Sequence, residues 1–241
     1  MHTLVISDIH ANATALEAVL ADAGEFERVW CLGDVVGYGP DANVCVDMLK
    51  SLPDLTCIMG NHDAALLGFI ELGTFKYEAQ VALQVQARQL NQNARDYLEL
   101  LEITKVVDGV TLAHGSPRDP IWEYILNAST ARENFAAFTT QICLIGHTHI
   151  PSIFVQEPRK QITVLLPRPG DMWRSTKRFI LNPGSVGQPR DRDPRASYVI
   201  WDDEESIWHF HRVEYDIFSV QKRILELGIP SRHAIRLSQG I

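Results

Sequence analysis

Short apolar runs alternate with amphipathic segments along the first 60 residues of the chain. Three of these runs predict buried strands, at residues 2–7, 27–32 and 55–59. Between them, apolar residues recur at helical spacing. This spacing predicts a helix over residues 13–23 with Asn12 as its N-cap, and a second helix that Asp41 caps and that ends before Pro53. Strands that alternate with helices imply right-handed crossovers and therefore a parallel sheet.

The pattern changes after residue 63. Residues 64–101 contain many helix-forming residues and few turn signals, which predicts two or three helices at the edge of the sheet. Asp108-Gly109 lies between two β-rich runs and predicts a hairpin. Further strands are predicted at residues 110–113, 142–145, 153–155, 162–166, 178–181, 197–201 and 206–213. Helices are predicted near residues 130–138 and 217–227, and a short helix with a frayed tail at 231–241.

No repeat or linker divides the sequence, so we expect a single domain over residues 1–241, with residues 64–105 as a helical insertion beside the functional site. The formal net charge of −8 argues against strong binding to nucleic acid. It does not argue against a small phosphate substrate, because bound divalent ions supply positive charge locally. No apolar stretch approaches the roughly 20 residues of a membrane helix, and we expect a cytoplasmic protein.

Residues of the types that bind metal ions follow five of the predicted strands. They are Asp8, His10, Asp34, Asn61, His114, His147 and His149, with His62 next to Asn61. Carboxylate, imidazole and amide ligands without a thiolate suit ions such as Mn, Fe, Zn or Mg. Seven ligands are too many for one ion, whereas two ions about 3.5–4 Å apart that share Asp34 would use them all.

Each of these motifs also has a simpler explanation as a helix cap or as the polar face of a strand. Independent caps and polar faces would not gather at the ends of successive strands, so we favour the metal site. The other histidines lack this placement and are interpreted as surface or core residues. They are His2, His209, His211 and His233.

The same motifs carry a resemblance to a known family. Asp8-Ile9-His10, Gly33-Asp34, Gly60-Asn61-His62-Asp63, His114-Gly115 and Gly146-His147-Thr148-His149 resemble, in order, the five-block signature of the calcineurin-like metallophosphoesterases. The loop at residues 182–187 resembles the segment that follows in that family. The likeness is greatest to the small bacterial and archaeal phosphodiesterase branch, with some likeness to diadenosine tetraphosphatase-type sequences. One departure is Ala11, where many relatives have glycine.

The resemblance implies an α/β fold, a four-layer αββα sandwich of two mixed β-sheets flanked by helices. It implies that one ion is held by Asp8, His10, Asp34 and His149, and the other by Asp34, Asn61, His114 and His147. Two divalent ions are therefore expected, with Mn²⁺ as the first expectation and Fe, Zn, Ni or Mg as alternatives.

The mechanism implied is attack of a metal-bridging hydroxide on phosphorus, with His62 as the general acid for the leaving oxygen. The resemblance also implies that Asp63 holds His62. Candidate substrate donors are the backbone of Gly184 and Ser185 and the side chains of Asn12 and Arg190.

The motifs leave the substrate open. A phosphodiesterase is slightly favoured over a phosphomonoesterase, including a protein phosphatase, and a dinucleoside polyphosphate hydrolase is a third possibility. A catalytically silent binding scaffold of the same fold is disfavoured, because such a scaffold would lack ligands or His62. Trp122 and Tyr124, in a loop at residues 116–127 that we expect at the entrance, could stack on a base or belong to a core or interface. The oligomeric state stays open.

Overall fold

The computed structural model describes residues 1–241. It contains twelve β-strands in two six-stranded mixed sheets, which eight α-helices flank. The strands are β1 (His2–Ile6), β2 (Arg28–Cys31), β3 (Leu55–Cys57), β4 (Thr104–Val107), β5 (Val110–Ala113), β6 (Ile142–Leu144), β7 (Ser152–Gln156), β8 (Ile162–Leu165), β9 (Met172–Trp173), β10 (Phe179–Asn182), β11 (Ala196–Asp202) and β12 (Ile207–Val213). The helices are α1 (Ala13–Asp22), α2 (Ala42–Lys50), α3 (Asn61–Leu67), α4 (Tyr77–Gln89), α5 (Gln92–Glu99), α6 (Ala128–Asn134), α7 (Ile217–Glu226) and α8 (Ser231–Gln239).

The first sheet has the strand order β3-β2-β1-β11-β12-β9. β1, β2 and β3 are parallel, as the strand–helix alternation predicts, with Leu4 opposite Val29 and Val29 opposite Leu55. β11 adds antiparallel to β1 and pairs with β12 in the predicted hairpin. The carboxyl ends of the three parallel strands therefore lie at one edge of this sheet.

The second sheet has the strand order β4-β5-β6-β10-β7-β8. β5, β6 and β10 are parallel, so their carboxyl ends also share one edge. The predicted hairpin between β4 and β5 is confirmed. Asp108 and Gly109 both have positive φ, +48° and +75°, which is the backbone conformation of a tight type I′ turn.

The two sheets pack face to face, and alternate residues of each strand point into different cores. Val5 of β1 joins an inter-sheet core with Leu112 and Leu144, whereas its neighbours Leu4 and Ile6 pack on the helical side with Leu16 of α1. On the outer face of the second sheet, a third core lies under α6. The four layers α-β-β-α predicted by the family resemblance are therefore confirmed.

Several local predictions need correction. Asp41 precedes α2 but forms no side-chain cap, because its carboxylate accepts hydrogen bonds from Arg223 of α7 instead. The helices predicted between residues 64 and 101 are present, but the first begins at Asn61, so the metal-ligand motif lies in its first turn. The assignment of a single domain stays a prediction. None of the helices combines the length and apolar composition that crossing a membrane requires.

The predicted frayed tail at the end of the chain is wrong. α8 packs through Ala234 and Leu237 against α4 and α7. It ends at Gly240, whose carbonyl accepts a hydrogen bond from the backbone N–H of Arg192 at 2.7 Å. The last residues are therefore bound to the body of the protein.

Candidate metal and phosphate site

The carboxyl ends of five strands, three from the first sheet and two from the second, meet at one place. All seven predicted ligands lie there, and each exposes 3% or less of its surface. They follow their strands in chain order: Asp8 and His10 after β1, Asp34 after β2, Asn61 after β3, His114 after β5, and His147 and His149 after β6. The ligand atoms of Asp8, His10 and His149, and separately those of Asp34, His114 and His147, lie within 4.8 Å of one another.

Backbone carbonyls fix the tautomers in the first of these groups. The Nδ1 atom of His10 lies 3.0 Å from the carbonyl of Val36, and that of His149 lies 2.5 Å from the carbonyl of Gln188. A carbonyl accepts only, so each Nδ1 carries a proton and each Nε2 presents a lone pair. The two Nε2 atoms are nevertheless only 3.1 Å apart. Two lone pairs thus face each other in a buried site.

The second group repeats the arrangement. The Nδ1 atom of His114 donates to the carbonyl of Leu32 at 2.8 Å, and the Nε2 atom of His147 donates to the carbonyl of Trp122 at 3.2 Å. The free Nε2 of His114 then lies 3.2 Å from the free Nδ1 of His147 and 3.1 Å from Asn61 Oδ1. Again, buried acceptors converge, and the only proton available to separate them is a second one on Nε2 of His114.

Asp34 lies between the two groups. Its Oδ2 atom is 3.6 Å from Nε2 of His10 and 3.3 Å from Nε2 of His114, while its Oδ1 atom accepts the backbone N–H of His62 at 2.8 Å. Converging buried acceptors repel one another unless a proton or a cation lies among them. The donor set therefore fits divalent cations, and the carbonyls that orient the imidazoles are the outer contacts such ligands usually have.

The protonation of the imidazoles follows from the same geometry. Burial favours neutral rings, and it lowers the pKa of His147 to about 3. Burial acts in the same direction on His114, but the carboxylate of Asp34 outweighs it and raises the pKa of His114 to about 9. In the absence of a cation, a second proton on His114 would thus separate the crowded acceptors.

The ligands are carried on an unusual backbone. Asp8, His10, Asp34, His147 and His149 all have positive φ, between +50° and +64°. This region costs a non-glycine residue roughly 1–2 kcal/mol, and such residues cluster at functional sites. Close packing also requires glycine at position 60, because a Cβ there would lie 2.1 Å from Oδ1 of Asp34. Residue 11, the departure from the family pattern, keeps a left-handed turn at φ +51°.

His62 lies beside the ligands in a cage of rings. Its centroid is 4.3 Å from that of Tyr38, 5.0 Å from that of Phe75 and 4.9 Å from that of His10. Its Nδ1 atom has no hydrogen-bond partner. Burial lowers the pKa of His62 to about 4, although the charge of Asp34 opposes this shift.

The predicted contact between Asp63 and His62 is wrong. The two Asp63 oxygens accept the backbone N–H groups of Val36, at 3.0 Å, and Gly60, at 2.9 Å. Asp63 is the third residue of α3, and its carboxylate accepts the backbone N–H of the N-cap residue Gly60. Consecutive residues of a helix do not face each other, so Asp63 supports the turn instead of the ring of His62.

Three of the four predicted substrate-binding residues do not face the cavity. The side chain of Asn12 already forms two hydrogen bonds within the protein. Its oxygen accepts the backbone N–H of Ala15 and so caps α1, and its amide donates to the carbonyl of Gly187. The Gly184 N–H donates to the side chain of Asn182, and the Ser185 hydroxyl donates to the Asp8 carbonyl. These residues hold the loop around the ligands in place.

Arg190 does line the cavity, which has a volume of about 670 Å³. One wall is aromatic, formed by Phe75, Trp122 and Tyr124, and the ring of Tyr124 stacks on His147 at 4.0 Å. The loop at residues 116–127 thus lies at the entrance, as predicted. The sequence analysis did not indicate Tyr38, His233 and Arg236 as lining residues. His233 is a buried residue, as one of its two interpretations allows, and it also borders the cavity.

Comparisons with known proteins agree with this geometry. The family model for the calcineurin-like phosphoesterase superfamily domain matches residues 1–206. The crystal structure of a metallophosphoesterase from Sphaerobacter thermophilus superposes with a TM-score of 0.91 and 42% identity, covering 100% of both chains. An uncharacterized protein of Methanocaldococcus jannaschii is 37% identical over 98% of this chain and 97% of its own length. A symmetrical bis(5'-nucleosyl)-tetraphosphatase of Pectobacterium atrosepticum is 34% identical over 71 residues, 28% of this chain and 25% of that protein.

Proposed function

The chain belongs to the calcineurin-like phosphoesterase superfamily of metal-dependent phosphoesterases, and we propose that it hydrolyses a small phosphate ester at a centre of two divalent ions. Diesters are proposed ahead of monoesters, and Mn²⁺ as the ion. One ion would be held by Asp8, His10, Asp34 and His149, the other by Asp34, Asn61, His114 and His147.

The observation that carries the proposal is the pairing of buried lone pairs. In one group, His10 and His149 present unprotonated nitrogens to each other at 3.1 Å. In the other, Nε2 of His114 and Nδ1 of His147 lie 3.2 Å apart with at most one proton between them. Asp34 reaches both groups and can bridge them. The ions would stabilise negative charge on the phosphoryl oxygens and lower the pKa of a water molecule.

The chain's own side chains would complete the reaction. His62 lines the cavity beside the candidate ligands. Its Nδ1 atom is buried against Gly37, so Nε2 would be the nitrogen that meets an oxygen of the substrate. A bound phosphate anion would favour its protonated form, and the ring could then give its proton to the leaving oxygen. Arg190 would bind an anionic group of the substrate, because a guanidinium donates several hydrogen bonds in a fixed plane.

A second candidate is cleavage of a dinucleoside polyphosphate. The short match to a bis(5'-nucleosyl)-tetraphosphatase supports it, as does the aromatic wall, on which a base could stack. This match covers little of either protein, so the more general ester hydrolase is the main proposal.

The test begins with protein purified without added metal and then titrated with Mn²⁺. Elemental analysis is expected to give two ions per chain, and Mn²⁺ is expected to stimulate hydrolysis of p-nitrophenyl phenyl phosphate more than that of p-nitrophenyl phosphate. Asp34→Asn is the informative variant, because one residue serves both groups, and we expect it to lose both ions and turnover together.

Asp22→Asn is the matched control, since Asp22 is far from the cluster and bonds only to the Tyr198 hydroxyl. It is expected to keep its ions and its turnover. Hydrolysis of neither ester by the unaltered protein with Mn²⁺, Fe²⁺ or Mg²⁺ would refute the proposed function. A higher rate on the monoester would reverse the proposed preference.

A further inference from the structure

The C-terminal helix α8 forms a wall of the cavity. Six of its residues, from Ser231 to Gln239, line the space in front of the metal ligands. The helix is firmly attached, because the buried side chains of Ala234 and Leu237 pack on α4 and α7, and Gln221 donates to the carbonyl of Ala234 at 2.8 Å. Its side chains are therefore held at fixed positions in the cavity.

Positive charge collects on this side of the cavity. Two carboxylates line it: Asp34 belongs to the metal ligands, and Glu78 pairs with Arg232 at 3.5 Å. Arg190 and Arg236 line it as well, and neither forms an ion pair with a carboxylate side chain. The protein as a whole carries a formal charge of −8. Arg190 is thus a half-buried guanidinium group without an acidic partner in an acidic molecule, and the one hydrogen bond of Arg236 goes to the oxygen of Ile241, the last residue of the sequence.

Hydrogen-bonding capacity is also unused here. The Nε atom of Arg190 is buried without a partner, and so are both ring nitrogens of His233, a side chain that exposes only 3% of its surface. The ring of Tyr38 connects the two residues, 4.8 Å from the His233 ring and 5.8 Å from the Arg190 guanidinium. Buried polar groups are normally satisfied, so these atoms indicate a missing polar ligand.

We propose that Arg190, His233 and Arg236 form a second anion subsite, and that the substrate carries a second anionic group in addition to the phosphate that is cleaved. The inference rests on the proposed function and adds a substrate class to it. The phosphate that reacts is attracted by the metal centre, whereas His233 and Arg236 belong to α8, a helix that lines the same cavity and carries none of the candidate metal ligands. A phosphate-like anion would accept hydrogen bonds from both guanidinium groups and from one nitrogen of His233.

The electrostatics of Arg236 agree with this assignment. Burial, and then repulsion from Arg190, lowers the pKa of Arg236 to about 10. The side chain stays charged at neutral pH, and its one hydrogen bond goes to the backbone oxygen of Ile241 at 2.5 Å. An anion bound between the two guanidinium groups would attract both of them and offset their mutual repulsion.

The test compares two diesters that share a leaving group and differ by one charge. The probes are p-nitrophenyl phenyl phosphate and its analogue with a phosphonate group on the phenyl ring, both assayed with the Mn²⁺-loaded protein. We expect the charged analogue to have the higher kcat/KM, mainly through a lower KM. Arg236→Gln is expected to reduce that preference by about 10- to 100-fold, the size of a hydrogen bond to a charged group.

Arg232→Gln is the matched control on the same helix, because the charge of Arg232 is already paired with Glu78; it should keep the preference. Arg190→Gln tests the subsite from a separate element if Arg236→Gln folds poorly. Equal kcat/KM values for the two diesters, or a preference that neither Arg236→Gln nor Arg190→Gln reduces, would overturn the subsite. Hydrolysis of neither diester would refute the proposed function, and this inference with it.

Discussion

Replacing Gly37 by alanine should disable His62 without touching a metal ligand. A Cβ built on Gly37 lies 2.3 Å from Nδ1 and 2.7 Å from Cγ of His62, whereas ordinary contact begins at 3.4 Å. The ring would have to move by about 1 Å. It cannot rotate away freely, because Tyr38 and Phe75 pack against it.

A displacement of about 1 Å at a reacting group costs roughly 10²-fold in rate. We therefore expect kcat for Gly37→Ala to fall by about that factor on an alkyl ester, whose leaving oxygen needs a proton. The loss should be smaller on a p-nitrophenyl ester, whose leaving group needs little protonation. Elemental analysis should still find two ions per chain.

Gly68→Ala is the matched control. Gly68 has φ +83° against +94° for Gly37, but a Cβ there meets nothing within 4 Å. Both variants then bear the backbone cost of alanine in this region, about 1–2 kcal/mol, and only Gly37→Ala displaces His62. Equal turnover of the alkyl ester by the two variants would refute the role of His62 as the proton donor.

Three further predictions concern stability. In Asp63→Asn, the side-chain NH₂ group would face one of the two backbone N–H groups that the carboxylate accepts. Urea unfolding should therefore show a free energy of unfolding lower by about 1–3 kcal/mol, while turnover stays within a few-fold of the wild type. A large loss of turnover without a loss of stability would contradict this. Burial lowers the pKa of His233 from 6.5 to about 4. As the pH is lowered, the unfolded residue thus binds a proton before the folded one does, and the free energy of unfolding falls as the pH drops from about 6.5 to about 4. Between pH 7.5 and pH 5, the free energy of unfolding should fall by about 2 kcal/mol more in the wild type than in His233→Gln. An equal fall in the two proteins would contradict this prediction. Mn²⁺ at 100 times its Kd should stabilise the protein by about 2.7 kcal/mol for each ion bound, relative to chelator-treated protein, and an unchanged Tm would argue against the metal site.

The seven candidate ligands lie together as the sequence predicts, because their placement depends on local pattern, and their binding of metal stays a prediction. An apolar run that ends in a polar residue marks the end of a buried strand, and parallel strands place such ends at one edge. Asp8 and Asp34 follow this rule within one sheet, and His114 and His147 within the other. That the two edges meet depends on how the sheets pack, which no local signal encodes; there the family resemblance supplied the arrangement.

The substrate side was predicted poorly, for two physical reasons. First, Asp63 was predicted to contact His62, the residue before it in sequence, but the two side chains point to different sides of a helix. The position of Asp63, three residues after Gly60 and in the first turn of a helix, could have indicated instead that its carboxylate accepts backbone N–H groups at the start of that helix. The walls of the cavity, in contrast, come from segments distant in sequence. His233 and Arg236 reach the site only because α8 packs on α4 and α7.

The candidate metal ligands and the walls of the cavity thus come from different kinds of structural element. The ligands follow the ends of buried strands, and five of them hold left-handed backbone conformations that each cost roughly 1–2 kcal/mol. Such strain persists only where the surrounding sheets determine the backbone, so this part of the site is set before any ion or substrate binds. The walls come from the segment before α4, from the loop with Trp122 and from α8, all of which lie outside the sheets. Substitutions in these walls can change the group attached to the phosphate without altering the ligands, so relatives with the same five motifs are expected to differ in substrate while they share one reaction.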